Sequence, residues 1–275
     1  MIENGLRPFS IKLFMRYFAE ISYCGTRYAG WQKQPGELPS VQGVVEDAMS
    51  LILAAPIEIT GCGRTDTGVH ARQYFLHFDF EGEFPEGFLK RLNKFLPADI
   101  AFRRIFPVAS GAHARFDAYE RSYEYHLTLS KDPFTTGLVY FFPFRDRLDF
   151  DKTQQAAGLL LQYDTFFPFC KSNTDDRSLR CDLKRAEWVS DPENDRLIFH
   201  ISSNRFLRGM VRLIVGMCLN VGMDQVSLDE VKEAMEAQTR LAKSWSVPGE
   251  GLYLTGVRYR LAPVLILSPQ TPKSH

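Results

Sequence analysis

An excess of charge of one sign, paired cysteines and long apolar runs are all missing from this chain, and each absence removes a class of protein. Its 33 Lys and Arg balance 33 Asp and Glu over 275 residues. No broad positive surface is therefore available to grip nucleic acid, and any RNA site has to be a local basic patch. No apolar run reaches the ~18–20 residues of a membrane span, and Met1 to Ser10 lacks the apolar core of a signal peptide. The expectation is a cytoplasmic protein. The five cysteines, Cys24, Cys62, Cys170, Cys181 and Cys218, are odd in number and unpaired in spacing, which speaks for reduced thiols and against a disulfide framework or zinc ribbon. His70 and His77 have no metal-ligand spacing and no carboxylate-rich set beside them, so no metal or cofactor is expected.

What is present is an α+β pattern. Alternation over Ile11 to Tyr23 predicts a strand. Val41, Val44, Val45, Ala48, Leu51 and Ile52 then share one helical face, with Ser40 as N-cap. Strand-like runs follow at Pro56 to Thr60 and Gln73 to Phe80, then a helix at Pro85 to Phe95 and a strand at Ile100 to Phe106. This β-α-β-β-α-β order is that of a ferredoxin-like unit, shared in outline by RNA-recognition folds. The second half repeats it. Strands at Arg121 to Ser130, Lys184 to Ser190, Arg196 to Ser202 and Gly251 to Tyr259 enclose helices at Phe150 to Gln162, Phe206 to Val221 and one opened by the capping box Ser227/Glu230. Two related lobes, 11–112 and 113–262, with antiparallel sheets joined edge to edge around a cleft, are expected between a flexible N-terminus (1–10) and a flexible tail (263–275).

The chemistry concentrates in Gly61-Cys62-Gly63-Arg64-Thr65-Asp66-Thr67-Gly68-Val69-His70-Ala71, a turn between two strand-like runs. Its glycines permit backbone angles closed to other residues and let another molecule come close. If the turn is locally extended, Arg64 and Asp66 lie on one face. A cation there keeps the carboxylate ionised, as a nucleophile requires. Read in isolation, the same pair also fits a surface ion pair bracing a turn. Asp66-Thr67-Gly68 also spells the aspartic-protease triplet. Arg64 and the absence of a second copy leave that reading only to a homodimer. Cys62 beside His70 is a further, weaker candidate nucleophile.

The run Gly63 to Ala71 resembles the Gly-Arg-Thr-Asp-x-Gly-Val-His-Ala motif of the tRNA pseudouridine synthase A (TruA-type) family. Other blocks recur in order: Gly30-Trp31-Gln32-Lys33-Gln34, Ser40-Val41-Gln42, Ala114-Arg115-Phe116-Asp117-Ala118, Arg121-Ser122-Tyr123, Phe206 to Arg212, and Gly251-Leu252-Tyr253-Leu254. The resemblance implies that Asp66 is the nucleophile, that Arg64 orients it, that Tyr123 packs on the target base and that Arg212 is an active-site arginine. It also implies tRNA as partner, a homodimer, and uridines 38, 39 and 40 of the anticodon stem-loop as the usual targets. Gln32, Lys33, His70 and Arg121 stand in the matching blocks as candidate substrate-binding residues.

Arg205, Arg208 and Arg212 fall at i, i+3 and i+7 of the predicted helix from Phe206, a stripe that suits phosphate as well as it suits a solvated face. One departure stands out. Gln162 to Phe169 replaces a usual His-Asp pair with Asp164 and Thr165, which leaves the expected catalytic set untouched. The sequence thus predicts an isomerase acting on tRNA uridine. A non-catalytic RNA-binding module on the same scaffold is the alternative.

Overall fold

The computed structural model describes residues 15–171 and 178–260. The expected termini 1–10 and 263–275, the first residues of the first predicted strand and part of the loop at Ser172 to Asp182 lie outside the described residues. Strands β1 (Met15–Tyr23), β2 (Thr60–Gly61), β3 (His70–Phe80) and β4 (Ile100–Val108) alternate with helices α1 (Val41–Leu53) and α2 (Phe88–Phe95). The second half contains β5 (Ala118–Thr128), β6 (Tyr140–Phe141), α3 (Phe150–Leu159), β7 (Leu183–Asp191), β8 (Arg196–Ser203), α4 (Met210–Gly222), α5 (Leu228–Ala237) and β9 (Leu252–Tyr259).

All the strands belong to one mostly antiparallel sheet of order β4-β1-β3-β9-β5-β8-β7, with β2 on β3 and β6 on β5. The halves are thus one continuous sheet, joined by a short parallel pairing of His70 and Ala71 with Tyr253 and Leu254. Two apolar cores form, one holding β1, β3, β4, α1 and α2, the other holding β5, β7, β8 and α3 to α5. Tyr123 packs against both.

Local signals explain most elements. The Ser40 side chain accepts from the Gly43 N–H at 3.1 Å and starts α1. That helix buries Val41, Val45, Ala48 and Met49, whereas Leu51 is 65% exposed, so its inner face is turned from the predicted one. Ser227 and Glu230 form the expected capping box on α5. The predicted helix from Phe206 begins only at Met210. Gly209 takes a left-handed N-cap conformation (φ 71°), which ends any helical continuity with Arg205 and Arg208.

Helix α4 is buried on every side except at Arg212, its only charged residue. A charge placed there needs a partner inside the protein.

Candidate active site

The turn Cys62 to Val69 projects at the junction of the two halves, directly before β3 meets β9. Glycines allow its close packing. Gly30 has φ 105°, and a Cβ there would strike the Thr65 carbonyl; a Cβ on Gly249 would strike the Thr67 carbonyl. The Trp31 ring stacks on Tyr74 at 4.1 Å, and the Trp31 backbone N–H donates to the Thr65 carbonyl at 3.1 Å. The Tyr23 hydroxyl meets Thr65 Oγ1 at 2.9 Å, and the Tyr74 hydroxyl donates to the Gly63 carbonyl. Thr65 is thereby locked inward while Asp66 stays 37% exposed.

Asp66 Oδ2 accepts from Arg212 Nη1 at 3.0 Å, and Arg212 Nε donates to the Val247 carbonyl at 2.6 Å. Among the described residues, Asp66 Oδ1 accepts no hydrogen bond, so one oxygen is anchored and the other is open. The expected Arg64 partner is not there. Arg64 is exposed and forms no ion pair among the described residues, because β2 ends at Gly61 and the backbone then runs through bends and turns rather than an extended strand. The cation beside Asp66 instead comes from 146 residues away.

Tyr123 is half-buried, edge-on to Phe206 with ring centroids 5.2 Å apart. Burial, reinforced by the neighbouring Cys62 and Asp66 and opposed by Arg121, pushes its phenol above the ordinary range. At neutral pH it is a hydroxyl donor rather than a phenolate. That hydroxyl has no protein partner among the described residues. Tyr125, two residues on, is fully buried and donates to the Pro248 carbonyl at 3.0 Å, a structural role as its position on the same face suggests.

Several candidate substrate-binding residues are engaged by the protein itself. The Arg121 guanidinium donates to the carbonyls of Cys62 (2.8 Å), Arg115 (2.7 Å), Asn204 (3.1 Å) and Ala118 (3.3 Å), which makes it a bracket behind the Asp66 turn. The Gly25 N–H donates to His70 Nδ1 at 3.0 Å, so Nε2 carries the proton and donates to the Glu250 carbonyl at 3.0 Å. Burial pushes His70 below its ordinary pKa, and the ring is a neutral strut stacked on Tyr253 at 4.5 Å. Gln32 and Lys33 are exposed but tied to α1, Gln32 donating to Gln42 Oε1 at 2.8 Å and Lys33 Nζ lying 3.6 Å from Glu46.

The three arginines do not form a stripe. Arg205 donates to the Ser178 carbonyl at 2.8 Å, Arg208 is exposed ahead of α4, and Arg212 turns in to Asp66. Burial pushes the Cys62 thiol up to about 11, the reverse of what a thiolate nucleophile needs. Sequence reasoning missed Val247, Phe206 and the bracket role of Arg121. The one legible signal was a single arginine in an otherwise apolar helical run.

A carboxylate with one open oxygen, an arginine on the other and a tyrosine hydroxyl nearby form a site suited to nucleophilic chemistry on an electrophilic carbon. A family profile described as tRNA pseudouridine synthase matches residues 164–260. The chain is 42% identical over 247 residues to the tRNA pseudouridine synthase A of Porphyromonas gingivalis, covering 89% of this chain and 97% of that one. With the namesakes from Parabacteroides distasonis and Bacillus subtilis the identities are 42% and 35%, over 89% of this chain and 96% and 99% of theirs. These relatives place the chain among the pseudouridine synthases, a class of isomerase with which its mixed α+β fold is compatible. Within that class the chain belongs to the tRNA pseudouridine synthase A family.

Proposed function

We propose that the protein isomerises uridine to pseudouridine in the anticodon stem-loop of tRNA, at positions 38, 39 and 40, with Asp66 as nucleophile. In the reaction the N1–C1′ bond breaks, a C5–C1′ bond forms, C5 loses a proton and N1 gains one. Neither water nor an electron carrier enters the balance. The target nucleotide has to leave its stack to reach a carboxylate set in a turn. Asp66, anchored through Oδ2, presents Oδ1 to the sugar or base. Arg212 holds the carboxylate in place. Tyr123 packs on the detached uracil, a contact worth about 1–3 kcal/mol, and offers a protonated hydroxyl to it. Arg64, exposed at the turn, reaches the RNA.

The observation that carries this reading is the Asp66 carboxylate, paired through one oxygen and open at the other beside Tyr123. Family membership supports the tRNA substrate, a homodimer and work in the cytoplasm; among the described residues no helix is long and apolar enough to cross a membrane. We also read the halves, 11–112 and 113–262, as two ferredoxin-like lobes. The matching strand orders, β4-β1-β3-β2 and β9-β5-β8-β7, support that reading.

The decisive experiment is Asp66→Asn. The variant and the parent are incubated with unmodified tRNA, pseudouridine is mapped by chemical labelling, and binding is measured alongside. Turnover should fall below detection with fold and affinity nearly unchanged. Near-normal turnover in the variant would move the chemistry to another residue, and a parent that binds but never isomerises would favour an RNA-binding module.

A further inference from the structure

Ahead of α4 lies a cavity of about 380 Å³ lined by Lys171, Arg208 and Arg240 together with Leu213 and Ser244 and, among the described residues, by no acidic one. The backbone fixes its cations from three separate segments. The Lys171 N–H donates to the Arg208 carbonyl at 3.2 Å, the Lys171 stem lies over Gly209 where a side chain would collide with it, and Arg240 Nη2 donates to the Cys170 carbonyl at 3.3 Å. The Arg240 guanidinium also sits 5.8 Å from the Phe167 ring. None of the three forms an ion pair among the described residues. The 13-residue α4 starts beside them without a side-chain cap, so its positive end adds to the same field.

Three cations converging without a carboxylate among the described residues repel one another, in a chain whose charges sum to zero. An anion in the cavity relieves that repulsion, and two guanidinium groups match the paired oxygens of a phosphate. The first turn of α4 also carries Arg212, the partner of Asp66, which places the cavity close along the chain to the reacting carboxylate. We propose that Lys171, Arg208 and Arg240 form a phosphate site for the RNA backbone next to the reacting nucleotide. They fix the strand while the base is in the Asp66 site. The assignment rests on the reading of the protein as an enzyme acting on RNA, and it adds Lys171 and Arg240 to its binding residues.

The test compares tRNA binding across a potassium chloride titration for the parent, Lys171→Gln, Arg240→Gln and the double variant, with melting temperatures to establish folding. Each lost phosphate contact should make the slope of log affinity against log salt shallower by about 0.7–0.9, and the double variant by about 1.4–1.8. A folded double variant with the parent slope overturns the proposal. Should Arg240→Gln fail to fold, Lys171→Gln alone decides, with an unchanged slope overturning it. A second arm titrates inorganic phosphate against the melting temperature. Stabilisation of the parent but not of Lys171→Gln, with unchanged RNA slopes, would identify a free-anion site and also overturn the proposal. Turnover is recorded separately. A parent that binds tRNA with the expected slopes but makes no pseudouridine would sink the proposed reaction and leave the phosphate site standing.

Discussion

Two regions of the molecule, the turn at the junction of the sheet and the approach to α4, treat charge in opposite ways. The Asp66 turn is tied down at nearly every residue: Arg121 holds Cys62, Tyr74 holds Gly63, Tyr23 and Trp31 hold Thr65, and Arg212 holds Asp66 itself. The approach to α4 leaves Arg208 and, beside it, Lys171 and Arg240 without counterions among the described residues. A reacting carboxylate has to be placed to a fraction of an ångström, and its bonds must exist before substrate arrives. A phosphate site needs only a positive field whose partner the substrate brings with it. On the proposed function, internal satisfaction suits the reacting carboxylate and uncompensated charge suits the grip on RNA.

The largest effect should come from breaking the satisfied side. Arg212→Met removes the anchor of Asp66 Oδ2 and leaves the carboxylate free to turn. Turnover should fall about 10²–10³-fold, while the salt slope of tRNA binding falls by no more than one contact. Single-turnover rates with bound tRNA would show it, and a rate within threefold of the parent would mean that the pair does not position the nucleophile. Arg121→Met should follow. It empties a bracket of several carbonyl contacts, and losing charge-assisted bonds of this kind costs about 2–3 kcal/mol of stability. Turnover should drop with it, a loss that denaturant melts and kinetics together would register.

The unpaired side should respond in binding alone. Arg208→Ala is expected to make the salt slope shallower by about 0.7–0.9 and to leave the rate of bound tRNA near the parent value. Arg205→Ala should do less, since that side chain already donates to Ser178. Equal effects in the two variants would return the arginines to a single phosphate stripe.

The smallest effect lies away from the site. The Ala114 N–H donates to His77 Nδ1 at 3.1 Å. Burial first, then the cation of Arg16 and the neighbouring His113, push His77 down to about 4, against the pull of Asp79 and Asp117. The folded pKa lies below the ordinary value near 6.5, so the neutral ring's contribution is complete above 6.5 and is lost as pH falls toward 4. Allowing for partial solvent screening, that loss is about 2 kcal/mol. Melting temperatures between pH 7 and pH 4 should fall more steeply for the parent than for His77→Gln; parallel curves would remove His77 from the account.

Much of this architecture was written locally. The Ser40 cap and the Ser227/Glu230 box lie within single turns, the apolar spacing of α1 locates the helix though not its inner face, and β3 announces itself by residue type, whereas the run predicted as a strand at Pro56 to Thr60 pairs only at Thr60 and Gly61. The failures were equally specific. The Arg205, Arg208 and Arg212 stripe assumed a helix that Gly209 breaks. The spacing of Arg64 and Asp66 pairs them only in an extended turn, which the bends after Gly61 rule out. Arg121 and His70 look in sequence like residues that face substrate, because nothing near them along the chain shows the carbonyls that engage them.

By itself, then, the sequence determined the motif that carries Asp66, the order of its elements and the family to which the chain belongs, since each depends on residues adjacent along the chain. Only the tertiary structure decided which cation meets Asp66, which polar side chains are struts and where unpaired positive charge gathers. Those contacts join residues brought together by the β3–β9 pairing and by the docking of α4 and Val247. No periodicity within a segment encodes a meeting across 146 residues.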